Sequence, residues 1–165
     1  MRVKESMRAA IWMMICIAGF TALCSVGALV QAQNPQADQI IKRRIADQRR
    51  IGKAFKSIRD ELRAQNPALT VIRESAAQIV SLGAQQLSWF PPGTDKGQTH
   101  AKEEVWSERA AFEAAHNKFQ GEAEKMAQLA QAGEKKEALV SQYRALGESC
   151  KNCHNTFRGR VEDGL

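Results

Sequence analysis

Near the C-terminus of this 165-residue chain stands Cys150-Lys151-Asn152-Cys153-His154, a C-x-x-C-H sequence. Two thiols at that spacing can add across the two vinyl groups of one haem, and the histidine that follows then supplies an axial nitrogen to the iron. On a helix, Cys150 and His154 lie one turn apart and share a face. The same cysteines admit two other chemistries. A dithiol or disulfide redox helix needs a thioredoxin-like βαβ setting, and no run here alternates apolar and polar residues over a strand's length. A structural zinc site needs a second pair of ligands, which is missing. The motif therefore reads as a single, covalent haem c with His154 on the iron.

The elements that must position this motif follow helical spacing. Four helices are expected, over 36–64, 68–87, 102–131 and 134–159, broken at Asn66-Pro67, at the Ser88–Thr99 stretch with Pro91-Pro92-Gly93, and at Gly133. Each carries apolar residues three and four apart. The first reads Ile41, Arg44, Gln48, Ile51, Phe55, Ile58, Leu62, and the last reads Leu139, Tyr143, Leu146, Cys150, His154, Phe157. Short connections make consecutive helices antiparallel. The expected fold is all-α: an antiparallel up-down-up-down four-helix bundle with haem in its core. Polar residues interrupt the stripes at Arg44, Gln48, Arg109 and His116. A site inside the bundle is expected among these and the Cys150/His154 pair.

The N-terminus reads differently. Arg2, Lys4 and Arg8 precede an apolar run from Ala9 to Val30, closed by Val30-Gln31-Ala32. That is the anatomy of a secretory signal peptide over 1–32, although the run is also long enough to serve, uncleaved, as a membrane anchor. It leaves 33–165 as the bundle, with the periplasm as its expected location and Cys150 and Cys153 as its only cysteines. The 24 Lys and Arg against 18 Asp and Glu give a net charge of +6, with the two signs interspersed. A nucleic-acid partner would demand a clustered basic face. The mild excess suits weak electrostatic steering towards a redox protein partner.

A four-helix bundle ending in C-x-x-C-H resembles the cytochrome c′ family. The resemblance covers nearly all of 36–160. It rests most on Cys150 to Arg158, then on Arg44 with Gly52 two turns on, Gly93-Thr94-Asp95-Lys96, and Val105-Trp106. It implies that His154 holds one side of the iron. On the other side it implies either an empty sixth position under a bulky apolar residue of the first helix, or a methionine in low-spin relatives. Aligning Ile51-Gly52 puts Gln48 there, which is neither. A carboxamide is a poor iron ligand, so Gln48 is expected as a distal-pocket residue that can donate a hydrogen bond to a bound diatomic molecule. Arg44, one turn away, is expected to pair with a haem propionate or to reach water at the bundle end. Phe55 and Trp106 are expected either on the macrocycle or as plain core, and His116 as a hydrogen-bonded core histidine rather than a sixth ligand. The resemblance gives Arg158 a positive environment to maintain near His154, and it admits a homodimer through the first two helices. The implied function is five-coordinate iron that binds small gases such as nitric oxide, carries electrons, or both. The alternative is a dedicated low-spin electron-transfer cytochrome. An enzyme is not expected, because the sequence offers no acid–base pair.

Overall fold

The structure is a computed structural model that describes residues 35–159, and the expected leader lies outside them. By internal contacts the chain divides into Met1–Ala32 and Gln33–Leu165, and everything described belongs to the second unit. The apolar spacing builds α1 (Pro35–Arg63), α2 (Leu69–Gly83), α3 (Glu104–Ser107), α4 (Arg109–Ala132) and α5 (Lys136–Phe157). The long helices run up-down-up-down, α1 packing along α2, α2 along α4, and α4 along α5. Ile58, Ile72, Met126 and Leu146 are fully buried where the four stripes meet, each such side chain contributing ~1.5–3 kcal/mol. Among the described residues no helix is long and apolar enough to cross a membrane.

The tight α4–α5 connection depends on Gly133, whose φ of +73° is left-handed. Its N–H returns to the Ala130 carbonyl at 3.2 Å, and that of Glu134 to Leu129 at 3.1 Å. These bonds satisfy carbonyls that the end of the helix would otherwise leave open. Arg73 of α2 adds a bond from Nε to the Ala130 carbonyl at 2.9 Å.

Two boundaries differ from the expected ones. The second helix stops at Gly83, and Gln86–Trp89 form a separate 3-10 turn. The third is split, because Glu108 leaves helical geometry at φ −112°, ψ 47°. Both breaks have a tertiary cause. Trp106 turns to the loop, where its Nε1 donates to the Pro91 carbonyl at 3.1 Å. The 3-10 turn is held by bonds from Arg44 and Arg109 to its carbonyls.

The remaining neighbours, α1 and α5, meet far less than the other long pairs. Phe55 closes their seam by stacking on Tyr143, centroids 4.2 Å apart and planes 14° from parallel. Its ring also covers Gly147, where an added Cβ would lie 3.1 Å from Phe55 Cζ. Towards the start of α1 and the end of α5 the helices part. The chain before α3 crosses there and pairs with the end of α5. Ala101 bridges Arg158, Lys102 N–H donates to the Phe157 carbonyl at 3.0 Å, and Gly159 N–H to the His100 carbonyl at 2.8 Å.

Candidate functional site

Between the parted ends of α1 and α5 lies a cleft of about 690 Å³, within the ~300–1,000 Å³ usual for small-molecule and cofactor sites. One wall is the end of α5, with Cys153, His154, Phe157 and Arg158. The facing wall is α1, with Arg44, Ile45, Gln48, Arg49 and Gly52. Val105 and Phe112 line it from α3 and α4, and Gln86, Phe90 and His100 from the connections. The helical repeat explains the α1 wall, since residues 44, 48 and 52 recur once per turn.

Cys150 sits one turn before His154, half-buried against the core cluster. Both thiols are free. Burial, with the neighbouring Cys153 second, pushes the Cys150 thiol up to about 11, and burial also raises Cys153. Redox-active dithiols show the opposite, a depressed pKa, so the pair does not have the electrostatics of a thioredoxin-like site. His154 is partly open to solvent. The packing around it, and then the charge of Arg158, hold it below the ordinary histidine range. That favours the neutral imidazole that metal ligation requires.

The charged residues on the cleft wall are all cationic: Arg44, Arg49 and Arg158, without a single Asp or Glu. Arg44 is 3% exposed. Its Nη1 donates to the Trp89 carbonyl at 3.2 Å and to Thr94 Oγ1 at 3.1 Å. Its Nη2 donates to the Thr94 carbonyl at 3.0 Å and to Thr99 Oγ1 at 2.8 Å. The guanidinium lies over Phe90, 4.6 Å from the ring centroid. Burial lowers its pKa to about 10, so it remains a cation at neutral pH with no carboxylate among these partners. A buried cation without a counter-charge is costly, and an anion in the cleft would offset it.

The polar residues of the stripes separate into two groups. Arg44 and Gln48 line the cleft opposite His154. Arg109 and His116 do not; they bind the 3-10 turn beside it, Arg109 Nη2 at 3.4 Å from the Leu87 carbonyl and His116 Nδ1 at 3.1 Å from Gln86 Oε1. Phe55 and Trp106 are also absent from the cleft lining. Phe55 is engaged by Tyr143 at the closed end of the seam. Trp106 packs edge-on behind Phe90, 6.1 Å between centroids. Phe90, Phe112 and Phe157 are the aromatic residues that line the cleft.

Ile45, Arg49 and Gln86 are lining residues that sequence reasoning missed, and His100 lines the cleft with them. Ile45 and Arg49 form the row beside Arg44 and Gln48, so a stripe drawn one residue wider would have included them. Gln86 and His100 lie outside the regular helices and carry no periodic signal.

Haem fits this arrangement. Among the described residues no group of three His, Cys, Asp or Glu could hold a metal ion, so an iron on His154 would need further ligands of the kind a porphyrin supplies. Cys153 stands at the wall with Cys150 one turn before His154, Phe90, Val105, Phe112 and Phe157 give apolar surface, and the arginines would suit two propionates.

Comparison with known proteins gives a consistent result. The family model for cytochrome c′ matches residues 39–158. A cytochrome c′ from Rubrivivax gelatinosus is 37% identical over 91 residues, 53% of this chain and 68% of that protein. A nitric oxide complex of a cytochrome c prime variant from Alcaligenes xylosoxidans superposes with a TM-score of 0.70 at 26% identity, covering 78% of this chain and 100% of that one. A cytochrome c′ described by ligand-controlled dimer dissociation superposes at 0.71 with 24% identity, over 75% of this chain and 97% of that one, and attests the fold.

Proposed function

Because this chain belongs to the cytochrome c′ family of haem proteins, we propose that its cleft holds one haem c, fixed through Cys150 and Cys153 and ligated by His154, and that the protein binds a small diatomic molecule such as nitric oxide in the periplasm. The observation that carries this reading is the cleft that sets Cys153 and His154 against Gln48 between walls charged only by arginine. Haem iron supplies a position for a neutral diatomic ligand and a one-electron couple. The chain's own residues do the rest. Arg44, pinned by its four hydrogen bonds, is a fixed rather than mobile charge for a propionate, and Arg49 and Arg158 add to it. Ile45, Val105 and Phe112 keep the cleft apolar. Gln48 offers an N–H to a bound ligand and no competitive ligand to iron.

The nitric oxide complex of the relative supports the choice of gas. The role in this reading is binding, with or without electron transfer. Export rests on the expected leader, and mass spectrometry of the native protein tests it by an N-terminus near Gln33. A redox protein partner and a homodimer belong to the same reading.

One observation favours the second reading, a low-spin electron carrier. His100 lines the same cleft. Its carbonyl is tied to Gly159, which keeps the residue near the end of α5.

The test is an anaerobic titration of the reduced, purified holoprotein with nitric oxide. The reading expects a saturable change of the Soret band at one equivalent per haem. An unaltered band at excess gas contradicts it.

A further inference from the structure

Gln86 opens the 3-10 turn after α2, half-buried, with its side chain on the cleft wall. A glutamine on a turn would ordinarily sample many rotamers. This one is held from behind. His116, 6% exposed in the middle of α4, sets its Nδ1 at 3.1 Å from Gln86 Oε1. A carbonyl oxygen only accepts, so this contact is a hydrogen bond in the tautomer that carries the hydrogen on Nδ1. Burial, and then the charge of Arg109, favour the neutral ring over the imidazolium, against a smaller opposing pull from Glu113. With its oxygen committed, the carboxamide presents Nε2 as its free end, and no described residue accepts from it. The turn cannot drift away, because Arg109 holds the Leu87 carbonyl and Arg44 the Trp89 carbonyl.

We propose that His116 is a positioning residue that aims the Gln86 amide into the cleft, so that Gln86 joins Gln48 as a second N–H donor selecting ligands that become polarised on binding. The inference rests on the gas-binding reading above. Two donors from different elements favour a ligand that gathers negative charge at its outer atom, as nitric oxide or dioxygen does, over carbon monoxide, which gathers little. Selectivity then follows from the difference between the two cases. His116 touches no ligand itself and acts through Gln86.

The C–O stretching band of the reduced holoprotein under carbon monoxide reads this directly, since a donor near the bound molecule lowers its frequency. Gln86→Leu is expected to shift the band to higher wavenumber. His116→Phe is expected to broaden it and move it part of the way, because Gln86 remains but is no longer aimed. The double variant is expected to match Gln86→Leu alone, as residues acting in series do. A band indifferent to Gln86→Leu, or shifts of the two variants that add, overturns the proposal. If His116→Phe does not fold, His116→Gln, which retains a donor, replaces it and is expected to keep the band near its original position; a full shift there overturns the proposal as well. A holoprotein that takes up no carbon monoxide overturns the gas-binding reading and the proposal together, whereas a normal carbonyl band indifferent to Gln86 overturns the proposal alone.

Discussion

Arg44 and Thr94 are joined by two hydrogen bonds, Nη1 to Oγ1 at 3.1 Å and Nη2 to the carbonyl at 3.0 Å, across 50 residues of sequence. Thr94 is 2% exposed, and its hydroxyl passes on to the Pro91 carbonyl at 2.8 Å. One guanidinium from the first turns of α1 thus fixes the loop that roofs the cleft and places a cation at its wall. Arg44→Gln should leave the Trp89 and Thr94 carbonyls under-satisfied, each costing ~1–3 kcal/mol. Denaturant unfolding of the holoprotein should show a loss of ~2–6 kcal/mol by that accounting. Arg44→Lys should recover less than half, since a single ammonium cannot reproduce the planar fork.

The proposed haem attachment uses both thiols. Cys150→Ala or Cys153→Ala should weaken the haem-stained band on a denaturing gel, and the double variant should abolish it. A band that survives the double change would place the attachment elsewhere.

The pH dependence has a definite sign. His116 is held below its ordinary value of ~6.5, so the unfolded chain takes up the proton more readily. Its contribution to stability is complete above ~6.5 and is lost as pH falls towards the folded pKa. Once His154 is on iron it no longer titrates in this window. The holoprotein Tm should fall between pH 7 and 5.5, and His116→Gln should flatten that part of the profile. An unchanged slope in the variant would assign the acid sensitivity to another group.

How much of this was readable from sequence depends on whether the feature is periodic. The stripes of α1 and α5 repeat once per turn, and they placed Arg44, Gln48 and His154 on facing walls before any coordinates. The motif itself is local and needs no tertiary information. Glu108 was not legible as a break, because 104–116 holds no Gly or Pro and the interruption goes with Trp106 bonding to Pro91. The same holds for Phe55. Its stripe position is right, but only the structure shows that Tyr143 stacks on it. The partners of Arg44 lie 45–55 residues away in an aperiodic loop, so its charge could be placed and its four acceptors could not.

Gln48 offers a direct substitution series. Gln48→Met should supply a thioether from the facing wall and drive the ferrous protein towards low spin. Gln48→Leu should leave the spin state unaltered and change the nitric oxide dissociation rate only modestly, the loss of one hydrogen bond being ~1 kcal/mol. Optical spectra and stopped-flow dissociation separate these outcomes.

The central claim is an open sixth position facing Gln48, and the optical spectrum of the ferrous holoprotein, taken before any gas is added, tests it most directly. The account predicts a five-coordinate, high-spin spectrum with a broad Soret band and no resolved α and β bands. A sharp, fully low-spin ferrous spectrum would contradict it, would direct attention to His100 in the same cleft as the sixth ligand, and would make electron transfer the protein's function.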